Sequence, residues 1–188
     1  MLRQRGVTLI ELVIFIMLVS IAFAALLLAF NQFGGHSVDP LIRKQALAIA
    51  ESLLDEVELM PFTICDPDDP AAATATVAAN CTSPGTEESP LKSETGESRG
   101  NAATPFDNVS DYNGPAGTGF TLAGITDIQG SAIPGLSGYS ATITVALDNL
   151  GGISGENAVR ITVTVTPPSG PSVVLDGYRT RYAPNTAP

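Results

Sequence analysis

The sequence predicts an α+β fold, in which a long N-terminal helix packs on a small head that contains an antiparallel β-sheet. Two patterns predict it. Residues 7–33 are almost entirely apolar and residues 41–60 show helical spacing, whereas much of 139–176 alternates apolar and polar residues as half-buried strands do. We expect the first half of the helix to lie in a membrane and the second half to cover the sheet, because both apolar faces are then buried.

The membrane half is predicted from length and charge. Val7 to Phe30 is an apolar run interrupted by one charge, Glu11, and at ~1.5 Å per residue a helix of this length crosses the roughly 30 Å hydrocarbon core of a bilayer. Arg3 and Arg5 precede it, so the N-terminus is expected in the cytoplasm and the remainder outside. A carboxylate near the end of such a helix is costly unless it has a partner, and a positive charge is the natural one.

A specific motif surrounds Glu11, because the run from Arg5 to Val13 reads RGVTLIELV. It resembles the cleavage and methylation site of type IV pilins and of pseudopilins. In that family a prepilin peptidase cleaves after the residue that matches Gly6 and methylates the new terminus, here Val7. The resemblance implies that residues 1–6 are a cleaved leader, and that Glu11 pairs with the terminal amine of a neighbouring subunit during assembly.

A plain membrane anchor is the alternative interpretation of the same helix. Glu11 lies only four residues after Val7, so its carboxylate can also reach the headgroup region without any partner protein.

Residues 34–60 are predicted to form a hinge and an amphipathic helix. Two adjacent glycines followed by Pro40 interrupt the first helix, and Asp39 is suited to cap a second one that has Pro40 in its first position. His36, the only histidine, is interpreted as a linker residue. The apolar face of the second helix comprises Ile42, Ala46, Ile49, Leu53, Val57 and Met60.

The exported head is predicted to span residues 61–188 and to begin with long loops. The chain from Phe62 to Gly119 is rich in small, polar and proline residues without periodicity. Cys65 and Cys81 are the only cysteines, and export places them in an oxidising compartment. We therefore predict a disulfide, which closes a loop of about 15 residues and removes roughly 3 kcal/mol of chain freedom from the unfolded state. Two free thiols are the alternative.

Two acidic clusters in these loops offer oxygen ligands of the kind that calcium uses. The first comprises Asp66, Asp68 and Asp69; the second comprises Asp107, Asn108, Asp111 and Asn113. Neither completes an EF-hand loop, because the later glutamate is missing at the required spacing. Solvated turns are the commoner explanation. We therefore expect no metal and no other cofactor, with calcium at Asp107, Asp111 and Asn113 as the weaker alternative.

Alternation of apolar and polar residues predicts the strands. They are expected at 139–148, 159–166 and 172–176, with a weaker candidate at 120–125. Gly177 separates the third from Tyr178 to Tyr182, a segment that either extends the strand past a bulge or adds another strand. Short turn-rich connections predict an antiparallel meander.

Composition argues against two classes of function. The formal net charge is −10, and losing Arg3 and Arg5 with the leader makes it more negative by two, so no binding to nucleic acid is expected. A catalytic triad needs a base near its nucleophile, and His36 is remote in sequence from the head. We expect that the protein is not an enzyme.

The resemblance implies a structural subunit of a type IV pilus-like filament, most like a minor pilin of the mannose-sensitive haemagglutinin type. The loop from Phe106 to Gly114 is similar to an Asp-Tyr-rich loop of those pilins. The expected partners are prepilin peptidase, the bacterial inner membrane before assembly, and other pilin subunits in the periplasmic or extracellular filament. The alternatives are a pseudopilin of a type II secretion system and a membrane-anchored extracytoplasmic binding module.

Overall fold

The structure of the chain is a computed structural model that describes residues 8–34, 40–82, 85–88, 91–153 and 155–182. The chain divides into two compact units, Met1–Pro40 and Leu41–Pro188. Helices and a four-stranded antiparallel sheet confirm the α+β class. The predicted leader with its cleavage site at Gly6 and Val7, and the predicted cap Asp39 with His36, lie outside the described residues.

The first unit contains helix α1, Leu9–Gly34. The span Leu9–Phe30 comprises 22 residues with a mean hydropathy of 3.0, and none of its most apolar window is buried. Ser20 donates its hydroxyl to the Ile16 carbonyl at 2.7 Å, so this polar group is satisfied within the helix. By length and composition α1 is therefore able to cross a membrane.

Helix α2, Pro40–Leu59, belongs to the second unit from Leu41 onwards and presents one apolar face to the core of that unit. The buried residues of this face are Ala46, Ile49, Ala50, Leu53 and Val57. The predicted amphipathic helix is thus confirmed. Pro61 follows its end, and Arg179 donates a hydrogen bond to the carbonyl of Met60 at 2.6 Å. This cation lies at the negative end of the helix dipole, where positive charge is favourable.

The sheet is an antiparallel meander in the order β1-β2-β3-β4. Its strands are β1 (Phe120–Ala123), β2 (Ser140–Leu147), β3 (Ala158–Thr166) and β4 (Val173–Thr180). The predicted strands are confirmed, including the weaker candidate. Gly177 does not end a strand, because it pairs with Ile161 in an unbroken register. The segment after Gly177 therefore extends β4 without a bulge.

The core lies between α2 and one face of the sheet. Ile143, Ile161 and Val163 are completely buried at the centre of that face. Phe106 joins the loops to the core, since its ring centroid lies 5.3 Å from that of Tyr112 and 5.2 Å from that of Phe120, in edge-to-face geometry.

The predicted disulfide between Cys65 and Cys81 is present and cross-links the loops between α2 and β1. Asp69 lies inside the closed loop and holds it together. Its carboxylate accepts hydrogen bonds from the Ala71 amide at 2.6 Å, the Thr82 amide at 2.9 Å and the Thr86 hydroxyl at 2.6 Å. Local hydrogen bonds of this kind can hold a loop in one conformation where regular secondary structure is absent.

Candidate functional site

Seven carboxylates converge in the loops between α2 and β1, and we refer to them as the acidic cluster. Its members are Asp66, Asp68, Glu88, Glu94, Glu97, Asp107 and Asp111. They form three overlapping triads, in each of which one oxygen from every residue lies within 4.8 Å of the others. The inner triad is Glu88, Glu94 and Asp111; the outer triad is Asp66, Asp68 and Asp107; the third joins Asp66 to Glu94 and Glu97.

A short 3₁₀ helix, Val109–Asn113, positions the innermost part of the cluster. Asn108 is the N-cap of this helix. In return, Asp111 Oδ2 accepts hydrogen bonds from the backbone amides of Asp107 at 2.9 Å and Asn108 at 2.7 Å. Asn108 also donates to the Thr63 hydroxyl at 2.6 Å. This capping box fixes the Asp111 side chain in one orientation.

Each of the two most buried carboxylates uses one oxygen for anchoring and leaves the other without a partner. Glu88 is 1% exposed and Asp111 is 0% exposed. Glu88 accepts a hydrogen bond at Oε2 from the Ser110 hydroxyl, while its Oε1 has no hydrogen-bond partner among the described residues. Asp111 Oδ1 and Asp107 Oδ1 are unpartnered in the same sense. Buried polar atoms are rarely left in this state.

The electrostatics of the cluster are those of crowded like charges. Burial raises the pKa of Glu88 well above its usual range, and repulsion from Asp111 and Glu94 adds to the effect. Burial also raises the pKa of Asp111 to about 8, with a further contribution from Glu97. The same cause, burial, raises the pKa of Asp107 to about 7. Each shift disfavours the charged form in the absence of a cation.

Glu94 and Glu97 lie against each other within the cluster. Burial raises the pKa of Glu94 to about 7, and the charges of Asp111 and Asp66 add to the rise. Burial and the charge of Glu94 raise the pKa of Glu97 to about 9. Two carboxyl groups in this arrangement share a proton or require a positive charge between them.

No lysine or arginine of the described residues forms an ion pair with the cluster. The two ion pairs within the described part of the chain, Arg99 with Glu56 and Arg160 with Asp148, lie elsewhere. The charge of Glu88 affects the pKa of Arg181. The Arg181 guanidinium, however, lies over the Phe62 ring, at 4.3 Å from the ring centroid. Within the described part of the chain, the cluster therefore has no basic side chain in an ion pair with it.

The structure brings together only part of the residues that the sequence suggested. Asp66, Asp68, Asp107 and Asp111 meet in the cluster. Asn113 is occupied otherwise, since it donates to the carbonyls of Leu91 and Gly117, each at 3.0 Å, and accepts from the Val145 amide at 3.1 Å. Asn113 thus ties the loops to β2.

Sequence reasoning missed Glu88, Glu94 and Glu97. They lie in a stretch without a recognisable ligand spacing, EESPLKSETGE at 87–97. The density of acidic residues in this stretch is the one sequence signal that could have indicated a site. The stretch lies between the cysteine pair and the second Asp-rich motif.

A cleft of about 400 Å³ borders the cluster. Glu88 contributes to its wall, together with Lys92, Glu156 and Arg181, while Val145 and Leu147 of β2 form an apolar side. The cleft therefore adjoins Glu88, although the free oxygen Oε1 of this residue is itself buried.

The residues predicted to act in assembly belong to the first unit. Glu11 lies in the first turn of α1 and is exposed. The Leu12 amide of the same turn bonds to the Thr8 carbonyl at 3.2 Å, so helical bonding starts just before Glu11. Gly6 and Val7 lie outside the described residues.

Comparisons of the chain with protein-family models, with curated proteins and with solved structures found no match.

Proposed function

We propose that the chain is a structural subunit of a type IV pilus-like filament, most like a minor pilin. The observation that carries the proposal is helix α1, an apolar span of 22 residues with a mean hydropathy of 3.0 that has one acid, Glu11, in its first turn. The motif from Arg5 to Val13 supports the same assignment, because it resembles the processing site of prepilins.

The exposed surface of α1 supports polymerisation through this helix. Large apolar side chains are exposed along its length, among them Phe15 at 66%, Leu18 at 63% and Phe23 at 64%. Such a surface needs lipid or other protein around it. In the proposed cycle the bilayer covers α1 in the precursor, and the α1 helices of neighbouring subunits cover it in the filament.

Glu11 supplies the specificity of this assembly. In an apolar bundle its carboxylate would be an unpaired charge, which costs several kcal/mol. The methylated amine of Val7 on a neighbouring subunit provides the opposite charge, and their attraction is strong where water does not screen it. The pair therefore favours one axial register between adjacent subunits over registers that leave Glu11 unpaired.

A pseudopilin of a type II secretion system is the alternative within the same class. It would use the same helix, the same processing and the same type of head, and would differ in the machine that assembles it. The genes next to the coding sequence distinguish the two, because pilus and secretion components are encoded in different clusters.

The test is substitution of Glu11 by Gln or by Val in the native host. Both variants should insert into the membrane as well as the wild type, because removing a charge makes α1 more apolar. Filament content sheared from the cell surface should fall by about tenfold or more, which corresponds to a lost interaction of about 1.4 kcal/mol.

Ser20→Ala is the matched control on the same helix. The Ser20 hydroxyl is satisfied by Ile16, so its loss should leave both insertion and incorporation unchanged. Normal incorporation of both Glu11 variants would contradict the proposal and favour the membrane-anchored binding module.

A further inference from the structure

We propose that the acidic cluster is a calcium site, in which the inner triad of Glu88, Glu94 and Asp111 holds the ion. This inference concerns the head alone and does not rest on the proposed role in a filament.

The first argument is the set of buried oxygens without partners. Glu88 Oε1 and Asp111 Oδ1 lie in a part of the head where water has almost no access, and neither accepts a hydrogen bond from any described residue. The second oxygen of each carboxylate is anchored, by the Ser110 hydroxyl and by the Asp107 and Asn108 amides respectively. Each side chain is therefore held by its anchored oxygen, and its other oxygen is left available to a cation, as in a preformed metal site.

The second argument is the accumulation of charge. Three carboxylates place an oxygen each within 4.8 Å of the others in the inner triad, and Glu94 also belongs to the neighbouring triad with Asp66 and Glu97. Like charges at this separation repel one another, and more strongly in a buried site than in water. A divalent cation at the centre converts the repulsion into attraction.

The chemistry of the donors selects calcium. All candidate ligand atoms of the cluster are carboxylate oxygens, which suit hard cations and not zinc or copper. Magnesium requires near-ideal octahedral geometry and usually keeps several waters, whereas calcium accepts six to eight oxygens in irregular arrangements. The outer triad of Asp66, Asp68 and Asp107 adds negative potential on the exposed side and thereby attracts the cation.

Binding has a structural consequence, because the three ligands come from different segments. Glu88 follows the disulfide loop, Glu94 lies in the next loop, and Asp111 lies in the 3₁₀ helix Val109–Asn113. One ion therefore links three stretches of irregular chain that share no strand or helix, and calcium should raise the stability of the head.

The experiment uses the full chain in detergent, first stripped with EGTA. Calcium chloride is titrated by isothermal calorimetry, and the melting temperature is followed by near-ultraviolet circular dichroism. We expect saturable calcium binding, and a rise in melting temperature of about 5 °C or more when free calcium exceeds Kd by 100-fold. Magnesium should bind at least tenfold more weakly.

The variant Glu88→Gln with Asp111→Asn removes the two buried ligand charges and keeps the shape and the anchoring acceptors. Its calcium affinity should fall at least tenfold. The control Glu51→Gln with Asp55→Asn removes two exposed charges of α2 and should bind calcium as the wild type does.

Three results would overturn the proposal. These are no calcium uptake by the wild type up to millimolar concentrations, unchanged affinity in the Glu88 and Asp111 variant, or equal affinity for calcium and magnesium. Glu94→Gln is the second variant, since its half-buried side chain tolerates change more easily, and it too should weaken binding.

Discussion

Arg99 and Glu56 form a two-point ion pair at the centre of the head. The Arg99 Nε atom lies 2.6 Å from Glu56 Oε1 and Nη2 lies 2.6 Å from Oε2. Tyr112 donates its hydroxyl to the same Oε1 at 2.7 Å, and Arg99 Nη1 donates to the carbonyls of Thr126 and Asp127 at 3.2 and 2.8 Å. The pair thereby connects α2 to three separate loop segments.

Glu56→Gln should destabilise the head strongly. Only 5% of the Arg99 side chain and 14% of the Glu56 side chain are exposed. Burial by itself lowers the pKa of Arg99, but the hydrogen bond and charge of Glu56 outweigh this effect and raise it. Without Glu56 a buried guanidinium loses its counter-charge, and we expect the free energy of unfolding to fall by about 3–5 kcal/mol. Guanidinium unfolding monitored by near-ultraviolet circular dichroism measures the change.

The control for this prediction is the exposed pair of Arg160 and Asp148. Their closest atoms lie 3.5 Å apart, and 46% and 35% of the two side chains are exposed. Asp148→Asn should therefore cost less than about 1 kcal/mol. Similar losses for the two substitutions would mean that burial adds nothing to the Glu56 pair.

Loss of the disulfide should destabilise the loop region and leave the sheet formed. Cys65 and Cys81 are 16 positions apart, for which the entropic model gives about 3 kcal/mol. The double substitution Cys65→Ala with Cys81→Ala should lower the free energy of unfolding by about that amount. Hydrogen exchange should increase mainly between residues 65 and 88. Alkylation of the exported wild type without prior reduction is the complementary assay, and labelling there would contradict an intact disulfide.

The elements with local signals could be predicted from the sequence. α1 follows from its uninterrupted apolar run, and β3 follows from the strict alternation between Ala158 and Thr166. The extent of β4 was predicted less accurately. A glycine is ordinarily unfavourable inside a strand, so the sequence indicates either a bulge or the start of another strand at Gly177. The strand instead continues without a bulge, and the reason for the glycine is tertiary, because α2 packs directly on it.

The candidate site was predictable only in part, because its geometry also depends on tertiary contacts. Asp107 and Asp111 belong to a compact motif that sequence spacing reveals. Glu88 carries no such signal, and neither its burial nor its proximity to Asp111 can be derived without the path of the intervening loops. Irregular chain lacks a period, so the positions of its side chains depend on individual contacts such as the hydrogen bond between Ser110 and Glu88.

Processing should remove the first six residues in a host that contains prepilin peptidase. The leader and Gly6 resemble the site that the enzyme recognises, so Val7 should become the methylated terminus. Mass spectrometry of the N-terminal peptide gives the answer, and an intact Met1 on assembled protein would contradict it. Replacement of Gly6 by a bulky residue is the negative control, since it should trap the precursor in the membrane.

Gly177 lies so close to α2 that a side chain added there should meet side chains of the helix. A methyl group added at Gly177 would overlap Glu58 Oε1 and would lie 2.8 Å from Leu54 Cδ1. Gly177→Ala therefore forces these side chains to shift. Because the contacts are with side-chain ends and not with backbone, we expect a cost of about 1 kcal/mol, at the lower end of the range for overpacking.

A double-mutant cycle separates this overlap from other effects of the alanine. In the background Glu58→Ala the main obstacle is gone, so Gly177→Ala should cost clearly less, and the coupling between the two substitutions should be about 0.5 kcal/mol or more. A cost that is equal in both backgrounds would mean that Gly177 is needed for its backbone and not for the contact. Strand propensity alone favours alanine over glycine inside β4, so a net loss of stability in the single variant that is relieved by Glu58→Ala reports on the close approach of α2 to the sheet.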